Sequence, residues 1–162
     1  MVPKQIVILL SGIPATGKSE FARYLARTHG FAHYDLECFP IGWPRPELKK
    51  EWGSNRAVFM SKVREHHNRV ALDWGFPPHC FSWVKELKDQ GASLVWFDGD
   101  VDRAREKFEQ RSGKPLIADF ERQVEAIRQA EYPALLDCVV VRTLSASGDF
   151  LDQREIEGIL FP

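Results

Sequence analysis

Short apolar runs alternate with stretches of helical spacing along this chain, and that alternation predicts an architecture before any chemistry is considered. The first run, Ile6-Val7-Ile8-Leu9-Leu10, is apolar without a break, as a strand buried on both faces must be. It predicts strand one over about Gln5 to Leu10, then a helix over about Gly17 to His29 that Gly30 stops. Phe31 to Asp35 reads as a short second strand. From Glu37 to Trp52, Pro40, Pro44 and Pro46 forbid a helix that is regular throughout. Asn55 to Asn68 has helical spacing, with Val58, Phe59 and Val63 on one side. Arg69 to Asp73 predicts a third strand. Pro77 and Pro78 suit a helix entrance, and the helix from Phe81 to Gln90 stops at Gly91. Ala92 to Asp98 is a fourth strand, followed by a charged helix from Val101 to Arg111. Ser112-Gly113-Lys114-Pro115 breaks that helix, and a further one covers Asp119 to Ala130. A fifth strand, Asp137 to Arg142, and a closing helix, Gln153 to Leu160, complete the pattern.

Strands separated by helices imply crossovers and a parallel sheet covered on both faces, an α/β fold. Ligands of such sheets bind at the carboxyl ends of the strands. The residues there are Ser11-Gly12, Asp35, Asp73 and Asp98-Gly99-Asp100, so carboxylates end three of the first four strands. No repeat, low-complexity tract or long linker interrupts the chain, and one domain over 1–162 is expected.

The turn after strand one carries the sharpest chemical signal. Gly12-Ile13-Pro14-Ala15-Thr16-Gly17-Lys18-Ser19 is a complete phosphate-binding P-loop, placed between a strand and a helix as the motif requires. Gly12 lets the chain leave the strand, and Gly17 lets the backbone approach phosphate oxygens without a Cβ in the way. The loop's N–H groups and the helix start, through Glu20, form an anion cradle. Lys18 is placed to reach β- and γ-phosphates and Ser19 to ligate Mg²⁺. The four fixed positions arise by chance in a chain of this size roughly once in a hundred times or less. The motif therefore predicts nucleoside triphosphate binding. It also demands an acidic partner for the metal, and Asp73 at the end of strand three fills that place; the competing reading is a carboxylate capping the next turn.

Composition narrows the class. The 162 residues are 44% hydrophobic and 28% charged, with a formal charge of −1. That is one globular domain without the global field that recruits nucleic acid or anionic membrane. Cys38, Cys80 and Cys138 are far apart and in no metal-ligand spacing, and they read as reduced thiols of a cytoplasmic protein. No apolar stretch reaches membrane length, and the N-terminus enters strand one without a leader. His66 and His67 read as helix-end residues.

The P-loop, the acidic end of strand two and Leu72-Asp73-Trp74-Gly75-Phe76-Pro77 occur together in a recognisable order. The chain resembles the small P-loop kinases of the adenylate, shikimate and gluconate kinase group. Val70 to Pro77 is similar to the Leu-Asp-Gly-Phe-Pro stretch of adenylate kinases, with Trp74 inserted. Leu94 to Gln123, with Phe-Asp-Gly-Asp and Arg111-Ser-Gly-Lys, is closer to gluconate kinases. The resemblance implies a three-layer fold around a five-stranded parallel sheet of order 2-3-1-4-5, a short mobile lid (111–118), and transfer of the γ-phosphoryl group of ATP·Mg²⁺.

Candidate roles follow. Asp35 would face the acceptor and take its hydroxyl proton as general base, with Glu37 as the substitute; capping of the turn through Leu36 and Glu37 is the structural alternative. Arg111, with Lys114 and Lys107, would bring cations over the γ-phosphate. Arg111 matches the lid arginine of gluconate kinases. Lys107 falls where relatives place an arginine that stacks on adenine, and an ammonium lacks that planar face, so Arg105 is an alternative. The segment 36–56 would form the acceptor-binding lobe, with Trp43, Arg45, Trp52 and Arg56 as candidates. Arg56 and the inserted Trp74 are the substrate-binding choices there, against loop packing for Trp43 and Trp52. The expected activity is phosphoryl transfer from ATP to a small-molecule hydroxyl acceptor, in a monomer or homodimer. The alternatives are a regulatory module that binds and slowly hydrolyses nucleotide, and a polynucleotide 5′-hydroxyl kinase, which the near-neutral charge disfavours.

Overall fold

A computed structural model describes residues 4–37 and 41–162; Cys38 and Pro40, named above, lie outside the described residues. Five strands, β1 (Ile6–Gly12), β2 (Ala32–Asp35), β3 (Arg69–Asp73), β4 (Ser93–Gly99) and β5 (Val139–Leu144), form one sheet of order β2-β3-β1-β4-β5. Every pairing within it is parallel. The helices are α1 (Lys18–His29), α2 (Lys49–Ser54), α3 (Arg56–His66), α4 (Phe81–Asp89), α5 (Val101–Ser112), α6 (Ile117–Ala130), α7 (Tyr132–Leu135) and α8 (Gln153–Leu160). Single 3₁₀ turns, Pro46–Leu48, Pro78–Cys80 and Lys114–Leu116, lead into α2, α4 and α6, each with proline in its first turn where the missing N–H costs nothing. None of the helices is long and apolar enough to cross a membrane.

Unbroken apolar strands make sense once both faces are seen. Val7 and Leu9 of β1, Val70 and Leu72 of β3, and Leu94 and Trp96 of β4 face Trp52, Met60, Val63, Val84 and Leu87 on one side. Their neighbours Ile8, Leu10, Ala71, Val95 and Phe97 face Phe21, Leu25 and Ile156 on the other. Burying each large apolar side chain contributes about 1.5–3 kcal/mol. A smaller cluster of Ile13, Ala104, Phe120, Val124 and Leu144 seats α5 and α6 above the carboxyl ends of the strands. Gly12 is fixed by this packing: at φ 140° a Cβ there would lie 2.1 Å from the Phe97 carbonyl oxygen.

Several expected boundaries shift for identifiable reasons. In α3 the Asn55 side chain accepts the Val58 N–H, which sets the helix phase. Phe59, Met60 and Val63 then face the core, while Val58, expected on that side, is 40% exposed. The fifth strand starts at Val139 rather than Asp137, because Asp137 sits at φ 52° in the turn after α7, and it runs on to the buried Leu144. His67 ends α3 bonded to the Tyr34 hydroxyl at 2.9 Å.

Candidate active site

The segment after β1 turns through Ala15 at φ 61° and Gly17 at φ 90° before α1 begins at Lys18. The conformation is held from inside. Thr16 Oγ1 donates to the Ile13 carbonyl at 2.7 Å, and Lys18 Nζ donates to the same oxygen at 3.0 Å. Thr143 Oγ1, from β5, donates to the Thr16 carbonyl at 2.7 Å, and Ile13 N–H donates to Phe97 O at 3.2 Å. The Ile13 and Thr16 carbonyls are thus engaged within the protein, and the N–H groups that follow lie at the positive end of α1.

A cleft of about 510 Å³ opens over this loop, lined by Pro14, Ala15, Gly17, Lys18, Ser19, Glu20, Arg23, Glu37, Gly75, Lys107, Phe108, Arg111, Gln123 and Phe150 among the described residues. The sequence named the loop, Lys107 and Arg111 from this set, and Glu37 as the substitute for Asp35. Lys18 is buried at its floor. Desolvation holds its ammonium below the ordinary lysine pKa, Glu37 and Asp73 oppose that shift, and Arg111 adds to it. Asp73 is 2% exposed beneath the cleft, with Oδ2 3.3 Å from His33 Nε2.

Two contact groups make up the walls. In the first, Phe150 lies 3.7 Å from where a Cβ on Gly17 would stand, and Lys107 Nζ sits 4.7 Å from the Phe150 ring centroid. Arg111, at the end of α5, lies over Phe108 with its guanidinium carbon 5.5 Å from that ring. In the second group, Gly75 joins two distant segments. Its N–H donates to Glu37 Oε1 at 2.7 Å, and its carbonyl accepts from Gln123 Nε2 of α6 at 3.1 Å. A Cβ on Gly75 would fall 2.6 Å from Glu37 Oε1 and 3.7 Å from Lys18 Cε, so a side chain there would push the Glu37 carboxylate aside. Glu37 is partly exposed, but its carboxyl end is crowded in the cleft; desolvation raises its pKa above the usual range, while Lys18 and the Gly75 bond pull it back.

Other expected site residues lie elsewhere. Asp35 is not among the described lining residues; its Oδ1 accepts the Glu37 N–H at 3.1 Å, which is the capping alternative considered above. Arg56 is turned away from the cleft: Nε binds Glu86 Oε2 at 3.0 Å and the guanidinium stacks 4.1 Å from the Trp83 ring centroid. Trp74 packs edge-on against Trp52 in the core, because the sheet face under α2–α4 needs bulk there. Trp43 and Trp52 are core residues as well. Lys114 does not line the cleft, and Arg105 is paired with Glu121 at 3.1 Å. Arg103 pairs with Glu106 one turn on. Gln123 and Phe150 carried no motif signal, and Gly75 stood within the Leu72 to Pro77 motif without a role of its own. Glu37 did carry one, as the second carboxylate after strand two.

Solved structures share this fold over nearly the whole chain. A shikimate kinase from Bacteroides thetaiotaomicron aligns at a TM-score of 0.57 and 19% identity, covering 96% of this chain and 94% of that one. A gluconokinase from Sinorhizobium meliloti aligns at 0.54 and 15%, covering 96% and 89%. The Deinococcus radiodurans tunicamycin resistance protein aligns at 0.61 and 16%, covering 96% and 93%. No protein-family model and no curated protein matches the chain. The resemblance to small P-loop kinases holds at the level of fold, with the five-stranded parallel sheet and strand order it implied.

Proposed function

We propose that this protein is a kinase that moves the γ-phosphoryl group of ATP to a hydroxyl of a small molecule. The carrying observation is Glu37: a carboxylate outside the phosphate loop faces the cleft within Coulombic range of Lys18. A module that only binds nucleotide has no use for such a group, whereas a hydroxyl that attacks the γ-phosphate, an alcohol's or water's, needs a base beside it, and the resemblance to metabolite kinases favours the alcohol.

The P-loop N–H groups and Lys18 would hold the β- and γ-phosphates. Phe150, exposed on one face beside Gly17 and Lys107, would seat the adenine ring, the task assigned by resemblance to an arginine at position 107. The acceptor oxygen attacks the γ-phosphorus while its proton passes to the Glu37 carboxylate. The bond from that phosphorus to the bridging oxygen breaks, and the electron pair leaves on ADP. Arg111 would meet the charge spread over the equatorial oxygens. Asp35, bonded to the Glu37 N–H, would position the base rather than act as it. The Ser19 hydroxyl on the cleft wall and the Asp73 carboxylate below fit a hard oxygen-ligated cation. Ser19 and Asp73 would hold Mg²⁺ there, whose positive charge would offset the charge developing on the phosphates. Free thiols at Cys80 and Cys138 suit a cytoplasmic setting.

ADP release from ATP·Mg²⁺, measured against sugars, sugar acids, nucleosides and antibiotics, tests the reading. Turnover that depends on one class of alcohol supports it. Turnover indifferent to every metabolite but altered by a protein partner would point to the regulatory module instead.

A further inference from the structure

We propose that the acceptor is an uncharged, hydroxyl-rich molecule rather than a carboxylic acid, because Glu37, Gly75 and Gln123 make the acceptor end of the cleft a hydrogen-bond-accepting, negatively charged surface. The inference rests on the kinase reading above.

The Gly75 backbone uses one Glu37 oxygen and one Gln123 amide hydrogen. Glu37 Oε2 and Gln123 Oε1 remain, and both are acceptors that call for O–H donors. Alcohol groups supply those donors; an ionised carboxylate supplies none. A carboxylate placed there would also meet Glu37, whose strongest charge partner is Lys18, committed to the phosphates, and which lies within Coulombic range of Asp73 and Asp35 as well. Like charges in a partly desolvated cleft disfavour one another.

The cations that could offset this are engaged elsewhere. Of those lining the cleft, Lys18 and Arg111 belong to the phosphates, Lys107 lies over Phe150, and Arg23 pairs with Glu20 at 2.5 Å. In the segment expected to hold the acceptor, Arg45 pairs with Glu47, Arg56 pairs with Glu86, Lys49 lies over the Trp43 ring, and neither these nor Lys50 line the cleft. Cys38, Phe39 and Pro40 carry no cationic group. Shikimate and gluconate, for which two of the similar structures are named, are acids. The fold shared with those proteins does not by itself fix the charge of the acceptor.

The test is a panel in which each acid is matched by an uncharged counterpart: gluconate with glucitol, shikimate with its methyl ester, glucuronate with glucose. ADP release is read with ATP·Mg²⁺, and ATP binding is measured separately. Uncharged members should exceed their acid partners in kcat/KM by about tenfold or more, and Gln123→Leu should raise the acceptor KM with little change in kcat. Glu37→Gln, in the presence of a non-hydrolysable ATP analogue, should narrow the difference in Kd between the members of a pair. An acid turned over faster than its counterpart overturns the inference. So does silence of every uncharged member while ATP still binds. Loss of ATP binding to the unaltered protein would instead strike the kinase reading itself.

Discussion

The two halves of the cleft are built in opposite ways. The phosphate half comes from one contiguous segment, Gly12 to Glu20, whose shape is fixed by bonds such as Lys18 and Thr16 to the Ile13 carbonyl. The acceptor half is assembled from the end of β2, the turn after β3 and the middle of α6, meeting at the Gly75 peptide. Phosphate can be recognised by backbone N–H groups and a helix end, so a short motif suffices. An acceptor must be told apart by side chains, and side chains from three segments converge only in the folded chain. The donor half should therefore tolerate no change at its motif, and the acceptor half should be altered through its joint.

The largest expected effect tests the assignment of the base. Glu37→Gln should lower kcat by about 10²–10⁴-fold with little change in ATP affinity, while Asp35→Asn should cost less than about tenfold. Steady-state kinetics with the identified acceptor decide between them, and the reverse order would return the base to Asp35. The pH profile carries the same information. A base must be ionised, and desolvation raises the Glu37 pKa, so kcat/KM should climb with pH through a limb above the ordinary carboxylate range. Glu37→Gln should remove that limb.

Breaking the donor half comes next. Truncating a buried charge partner costs about 2–5 kcal/mol, so Lys18→Ala should weaken ATP binding by about 10²–10³-fold or more. Saturating ATP·Mg²⁺ at about 100 times Kd should stabilise the unaltered protein by about 2.7 kcal/mol, a shift of about 5–10 °C in Tm. Thermal melts of Lys18→Ala at the same concentration should show no shift.

Gly75→Ala strikes the joint alone. Its Cβ would fall 2.6 Å from Glu37 Oε1, forcing the base aside. The expected loss is up to about a hundredfold in kcat/KM for the acceptor, with calorimetric ATP affinity unchanged. Phe150→Ala should give the smallest effect. Loss of a stacking face costs about 1 kcal/mol at an exposed site, about fivefold in the KM for ATP, without altering acceptor specificity.

How legible each half was follows from the same contrast. Gly12 and Gly17 announce themselves because only glycine fits their backbone, and Lys18-Ser19 follow at fixed spacing. The uninterrupted apolar strands announced the parallel sheet because both faces are buried. Arg56 and Trp74 were misdirecting because an aromatic or guanidinium near a strand end suits a ligand as well as a core. Packing settled it: Trp74 fills space against Trp52 and Trp83, and Arg56 is held by Glu86 and the Trp83 ring. Gln123 and Phe150 had no signal at all. A glutamine on an amphipathic helix and a phenylalanine in a turn acquire meaning only from what lies opposite.

By itself the sequence determined the α/β class, the order of the five strands and of the longer helices (α1, α3, α4, α5, α6 and α8) and the phosphate loop, since each depends on local periodicity or on backbone geometry within a few residues. Only the tertiary structure brought Glu37 rather than Asp35 to the cleft, tied it to Gly75 and Gln123, and set Phe150 beside Gly17. Those contacts join positions 38 to 133 residues apart in number, 37 with 75, 75 with 123 and 17 with 150, and no local pattern encodes which side chains meet across such separations.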